Sequence, residues 1–213
     1  MTLYLGLTGS IAMGKSATAQ MFSDSGVPVY DADAAVHGLY QRGGAAIAPV
    51  SALFPEALKD GAISRDILRT IVLSAPEKLD RLNKIVHPLV ARTQQAFRAK
   101  CEAEQAHFAV LDIPLLFETG GERSCDYIAV VTASAALQRA RVLSRPDMTE
   151  ASFKAILDRQ WPDARKRAAA DFIISTGFGF RFTREHVAAI IALMQRIALE
   201  KTQNHDTNSG NSL

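Results

Sequence analysis

Cysteine is scarce, with only Cys101 and Cys125 in 213 residues. They lack metal-ligand spacing and are too few for a disulfide framework, so a reducing compartment is expected. An excess of one charge is missing as well. Lys and Arg number 24 against 22 Asp and Glu, and no long basic run marks a nucleic-acid surface. No apolar run approaches the ~20 residues of a membrane helix. Met1-Thr2-Leu3-Tyr4 lacks the basic start of a signal peptide. A cytoplasmic chain without membrane or nucleic-acid partners is therefore expected. At 48% hydrophobic, the sequence is rich enough in core residues for one domain with insertions.

Against that background stands Gly9-Ser10-Ile11-Ala12-Met13-Gly14-Lys15-Ser16, a Gly, four free positions and Gly-Lys-Ser. Leu3 to Thr8 before it reads as a buried strand, and Lys15 to Ser25 after it as a helix ending at Gly26. In that setting backbone N–H groups curl around an oxyanion at a helix N-terminus. Lys15 then reaches the outer phosphates and the Ser16 hydroxyl sits on Mg²⁺. Val27 to Tyr30 is a second strand running into Asp31-Ala32-Asp33. One of these carboxylates can cap a helix starting at Ala34 while the other faces a ligand at the strand end, and Asp33 is favoured for the chemistry. His107 to Asp112 is the third strand, and Asp112 occupies the place of a second-shell Mg²⁺ contact. Asp126 to Thr132 and Asp171 to Ser175 complete five strands.

Residues 34 to about 105 read as helical with no strand, broken by Gly43-Gly44, Phe54-Pro55 and Asp60-Gly61. Ser64 caps a helix over Arg65 to Ser74. Ser74 and Pro76 start a longer one striped by Leu79, Leu82, Ile85, Val86, Leu89, Val90 and Phe97, which Pro88 should kink. A block this long between strands suggests a binding task. His87, at the kink, is either structural or part of that task. Ser134 caps a basic helix whose Arg141 and Arg145 lie one turn apart. A second helix runs from Thr149 or Glu150 to Arg159, and Asp163 to Ala170 adds Arg165, Lys166 and Arg167. These arginines form either a solvated face or a lid closing on triphosphate. A last helix from about Phe182 to Glu200 precedes a polar tail. The expected fold is α/β: a P-loop kinase domain over 1–200, with a five-stranded parallel sheet covered by helices on both faces. It carries a helical insertion at 33–105, a helical lid at 134–168 and a disordered tail at 201–213. The chemistry is that of a phosphotransferase like the nucleoside-monophosphate kinases.

From Leu3 to Leu199 the chain also resembles the dephospho-coenzyme A kinase family. The resemblance rests on Leu7-Thr8-Gly9 before the loop, Asp31-Ala32-Asp33, and Gly61-Ala62-Ile63-Ser64-Arg65 with Leu68. Asn83 with His87-Pro88, Asp112-Ile113-Pro114-Leu115-Leu116-Phe117-Glu118, and Gln138-Arg139-Ala140-Arg141 with Arg145 complete it. It implies ATP and Mg²⁺ acting on the ribose 3′-hydroxyl of dephospho-coenzyme A. Ala12, Met13, Gly14, Lys15, Ser16 and Ala17 would line the ATP phosphates, with Arg141 and Arg145 on the ATP side. Asp33 would take the place of the base, or hold Mg²⁺ through water, with Thr8 beside it at the cleft. Arg65, His87 and Leu116 would belong to the coenzyme A side.

The resemblance has departures. Ser10, Ala12 and Met13 replace a more glycine-rich loop, and a left-handed Ala12 would cost about 1 kcal/mol relative to glycine. No Asn stands near Ser175, and Pro146 should shorten the lid helix. The competing readings are another small-molecule or nucleotide kinase, and a regulatory protein that hydrolyses or senses ATP. The second would need switch loops and a water-positioning motif, neither of which is found.

Overall fold

The computed structural model describes residues 2–73 and 75–209. Leu3–Thr8 forms β1 and Phe108–Asp112 forms β5, both buried along their whole length. Such unbroken apolar runs suit strands covered on both faces of a parallel sheet. β1 pairs in parallel with β5 on one side, from Leu3↔Phe108 to Leu7↔Asp112. On its other side it pairs with β6 (Tyr127–Thr132), which in turn pairs in parallel with β7 (Phe172–Ser175). With β2 (Val29–Asp31) outside β5, the order is β2-β5-β1-β6-β7. The chain turns to opposite sides of β1, and the C-terminal strand ends around that switch point are where such sheets bind ligands.

Two compact units emerge, one built from residues up to Tyr30 and from Cys101 onward, the other from Asp31–Lys100. In the first, Leu5, Leu7 and Val110 of the sheet pack with Phe22 of α1 (Lys15–Asp24) and Val187 and Met194 of α9 (Phe180–Ser209). Three short helices lie between β6 and β7: α6 (Ala135–Leu143), α7 (Glu150–Leu157) and α8 (Asp163–Ala168). Ser134 and Thr149 cap the first two through their side chains.

The second unit holds α2 (Ala32–Tyr40), α3 (Ile47–Leu53), α4 (Arg65–Leu73) and most of α5 (Pro76–Ala103). Leu39, Tyr40, Val50, Phe54, Leu68, Leu82 and Val86 form its own core. Ser64, as expected, accepts from the Ile67 amide at the start of α4. Contrary to the all-helical expectation, β3 (Leu58–Lys59) and β4 (Ala62–Ile63) form an antiparallel hairpin. Asp60 at φ 49° and Gly61 at φ 76° make the left-handed turn that an Asp-Gly pair favours. Strands of two residues are too short to show a period in sequence.

Two boundaries differ further. The final helix runs on to Ser209, whereas residues 201–213 were expected to be a disordered tail. Thr202 bonds back to the Ala198 carbonyl, and the Lys201 ammonium lies 5.3 Å from the Tyr127 ring centroid, so the turn after Glu200 has partners. Residues 210–213 lie outside the described residues, as does Ser74, expected to start the long helix. Helix α6 ends at Leu143, so Arg145 is past it and not one turn along the same face as Arg141. The residue before a proline is disfavoured in the helical region, which suits a helix that stops ahead of Arg145-Pro146. No helix among the described residues is long and apolar enough to cross a membrane.

Candidate active site

The loop after β1 is held open as a cradle. Gly14, at φ 95°, is the N-cap of α1, and its amide and those of Ala12, Lys15, Ser16 and Ala17 find no acceptor among the described residues. Free amides at the first turn, together with the helix dipole, form an anion site. A Cβ at Gly14 would sit 3.1 Å from the Thr176 side chain, so this position has little room besides its left-handed φ. Lys15 extends over the cradle to a partner on the neighbouring strand, its Nζ 2.5 Å from Asp112 Oδ1. The parallel register Leu7↔Asp112 places that carboxylate beside the loop. Asp112 is buried while the Ser16 hydroxyl is exposed.

Ala12 adopts φ 59°, the strained case expected if an alanine stood where the loop turns left-handed. The cost is about 1–2 kcal/mol for an L-residue. Its methyl is buried against Val142 of α6 and Phe153 of α7.

Three further side chains fix the loop, each on a backbone group. Gln138 Nε2, in α6, donates to the Ile11 carbonyl at 2.8 Å. Gln160 Oε1, between α7 and α8, accepts from the Ile11 amide at 3.1 Å. Thr176 Oγ1, just past β7, donates to the Met13 carbonyl at 2.7 Å. Arg141 forks onto that same threonine, Nη1 to Oγ1 and Nη2 to the carbonyl, both at 2.9 Å, and Nη1 lies 3.4 Å from the Ala12 carbonyl. The expected lid arginine is thus engaged with the edge of the loop. Arg145 is exposed and forms no ion pair with the described residues.

The cations of α8 are committed elsewhere. Lys166 is fully buried with Nζ 2.7 Å from Glu118 Oε1, an ion pair without hydrogen-bond alignment. The same Glu118 oxygen accepts the Trp161 amide at 2.7 Å. Arg165 lies 3.4 Å above the Trp161 ring, which stacks on Phe117 at 5.2 Å, and Arg167 pairs with Asp163. This group ties α8 to the turn after β5 and so fixes the segment that carries Gln160.

Two expected contact residues are corrected. Thr8 is wholly buried and its hydroxyl donates to the Pro114 carbonyl at 3.1 Å, so it joins β1 to the turn after β5 and does not face a cleft. Leu116 is also wholly buried, close against Gly6 and Gly121, and not exposed at a surface as a contact residue was expected to be. Thr8 ends a strand buried along its whole length, and Leu116 packs inward from the turn after β5.

The remaining candidates belong to the second unit. Asp31 is the cap of α2, accepting from the Ala34 amide at 2.9 Å, and the helix starts at Ala32, two residues earlier than expected. Asp33 is left exposed in the first helical turn. Arg65 and His87 are exposed as well, at the start of α4 and within α5. Burial holds the Tyr40 phenol above its usual pKa, an effect the nearby Arg65 charge opposes. No cluster of three His, Cys, Asp or Glu able to hold a metal occurs among the described residues.

Sequence reasoning quoted Gln138 and Glu118 without giving either a task, and it missed Gln160 and Thr176. Nothing local marks Gln160, since its partner is 149 residues away.

Residues 3–178 match the family model for dephospho-CoA kinase. A dephospho-CoA kinase of Cereibacter sphaeroides is 52% identical over 194 residues, 91% of this chain and 96% of its own. One from Rhizobium meliloti is 51% identical over 189 residues, 89% and 96% of the two chains. Among solved structures, TT1252 from Thermus thermophilus aligns with a TM-score of 0.78 at 31% identity, covering 90% of this chain and 97% of that one. The dephospho-CoA kinase of Campylobacter jejuni aligns at 0.71 and 25% identity, over 92% and 98%.

Proposed function

The chain belongs to the dephospho-CoA kinase family, and we propose that its loop, Lys15, Arg141 and Asp33 divide between them the work of that reaction. The chain is a P-loop kinase that phosphorylates the 3′-hydroxyl of dephospho-coenzyme A from ATP, the last step of coenzyme A biosynthesis. The observation that supports the residue roles is the cradle itself: five amides in the loop and first helical turn that find no acceptor among the described residues, with Lys15 beside them.

Phosphoryl transfer needs positioning and charge more than covalent help. The amides of Ala12 and Gly14 to Ala17 bind the ATP phosphates. Lys15, resting on Asp112, shifts to the outer phosphates when they arrive, exchanging one anionic partner for another. Arg141 keeps the loop edge in place through Thr176 and offers its remaining N–H groups to the nucleotide, and Arg145 supplies a second charge. Asp33 orients the 3′-hydroxyl and takes its proton. Arg65 and His87 bind the coenzyme A side.

Mg²⁺ is the expected metal, and the residues fit it. An exposed Ser16 hydroxyl and one carboxylate, Asp112, suit an ion held mainly by substrate phosphates and water. When bound it neutralises charge on the transferred phosphoryl group. The test is ATP consumption with dephospho-coenzyme A against AMP, CMP, shikimate or no acceptor. Turnover is expected with dephospho-coenzyme A alone. Preference for a nucleoside monophosphate, or turnover without acceptor, would refute the substrate assignment.

A further inference from the structure

Ala12 holds a backbone angle that glycine takes freely and alanine resists. Returning it to negative φ requires the peptide between Ile11 and Ala12 to rotate, since φ of one residue and ψ of the residue before it turn the same plane. That plane carries the Ile11 carbonyl at one edge and the Ala12 amide at the other, pointing in opposite directions. Gln138 holds the carbonyl edge at 2.8 Å from a side chain that is itself only 6% exposed. Gln160 holds the preceding Ile11 amide. Because the partners are a carbonyl and an N–H, the orientation of both glutamine amides is fixed by chemistry.

We propose that Gln138, aided by Gln160, is a positioning residue. It pins the Ile11–Ala12 peptide against relaxation and so keeps the Ala12 amide turned into the cradle. It touches neither nucleotide nor acceptor and acts only through the loop. The proposal rests on reading the loop as the ATP phosphate site, and it adds that α6 and the α7–α8 connection set the shape of that site.

The test uses the full chain. Gln138→Met preserves length, volume and helix propensity while removing the donor. MgADP affinity by titration calorimetry and the KM for ATP should each weaken about tenfold, the loss expected for one buried hydrogen bond together with a misdirected amide. The KM for dephospho-coenzyme A should stay within about twofold and kcat within about threefold. Adding Ala12→Gly should restore most of the lost ADP affinity, because glycine is unstrained at φ 59° and no longer drives the rotation. A side chain that merely fills space would not be rescued this way. Gln160→Ala, on a half-buried connection, should weaken MgADP in the same direction and supplies the same readout if the α6 variant melts early.

Unchanged MgADP binding in both single variants would overturn the proposal. So would equal losses for ATP and dephospho-coenzyme A that Ala12→Gly leaves uncorrected. A wild-type chain that fails to bind MgADP would instead refute the ATP-site reading, so the two failures are distinguishable.

Discussion

Thr176→Val is the most direct probe of how the loop edge is held. The swap keeps shape and removes one hydroxyl, which donates to the Met13 carbonyl at 2.7 Å and accepts from Arg141 Nη1 at 2.9 Å. Losing the neutral bond costs about 1 kcal/mol, and losing the charge-assisted one about 1.5 kcal/mol, at the low end because Nη2 keeps the Thr176 carbonyl. The total is about 2–3 kcal/mol, and at this chain length it corresponds to a melting point lower by roughly 4–12 °C. Thr176→Ser retains the hydroxyl and should recover most of that difference. Circular-dichroism melts of the three proteins, with and without MgADP, measure it. A valine variant that melts within about 1 °C of wild type would refute the claim that this hydroxyl joins Arg141 to the loop. A serine variant that falls as far as valine would do the same.

Other expectations follow from the same geometry. Asp33→Asn should lower turnover about a hundredfold or more with MgADP affinity nearly unchanged, and near-normal turnover would remove Asp33 as the base. Lys15→Ala should abolish transfer and also destabilise the chain by about 3 kcal/mol, because the Asp112 carboxylate, 4% exposed, loses a charge 2.5 Å away. Lys15→Ala with Asp112→Asn should regain stability but not activity; activity in that double variant would show that the cradle works without its cation. The Tyr40 phenol, held above 10 by burial against the pull of Arg65, keeps its proton in the folded chain while the unfolded chain loses it near 10. Stability should therefore fall as pH rises above about 10. Tyr40→Phe should remove that part of the fall in denaturant titrations across this range, and an unchanged pH dependence in the variant would refute the burial effect.

Much of this site is legible in the order of residues because its parts are local. A Gly-x₄-Gly-Lys-Ser run between an apolar hexapeptide and a helix carries its own phosphate chemistry, and the five strands announce themselves as short apolar runs. Asp31 caps its helix as local rules allow, and it and Asp33 are both exposed. The misses are tertiary. Thr8 and Leu116 stand at positions adjacent to chemistry, but their side chains point into the interior, and a resemblance of sequence does not show side-chain direction. Arg141 has the charge for phosphate, yet its fork matches a carbonyl and a hydroxyl of the segment after β7, 35 residues on. Lys166 reads as a surface cation from composition and is the most completely buried charge described. The departure of Arg145 from α6 was locally visible, since Pro146 follows it.

The alanine at position 12 explains why so many distant side chains converge on three loop residues. A left-handed alanine costs about 1–2 kcal/mol. Burying its methyl against Val142 and Phe153 returns about 0.8 kcal/mol. Avoiding glycine's larger unfolded-state entropy returns about another 0.4–1 kcal/mol. The terms nearly cancel, so the substitution is almost free in stability while changing what sets the loop's shape. With glycine the conformation would be available but not enforced. With alanine it is enforced only while α6, α7 and the connection to α8 stay packed on the loop. Gln138, Gln160 and the Val142–Phe153 contact all come from the segment between β6 and β7, so any movement of that segment loosens the amides that face the phosphates. In this chain the cradle and the helices beside it are therefore one mechanical unit, and nucleotide affinity should respond to packing on α6 as directly as to Lys15.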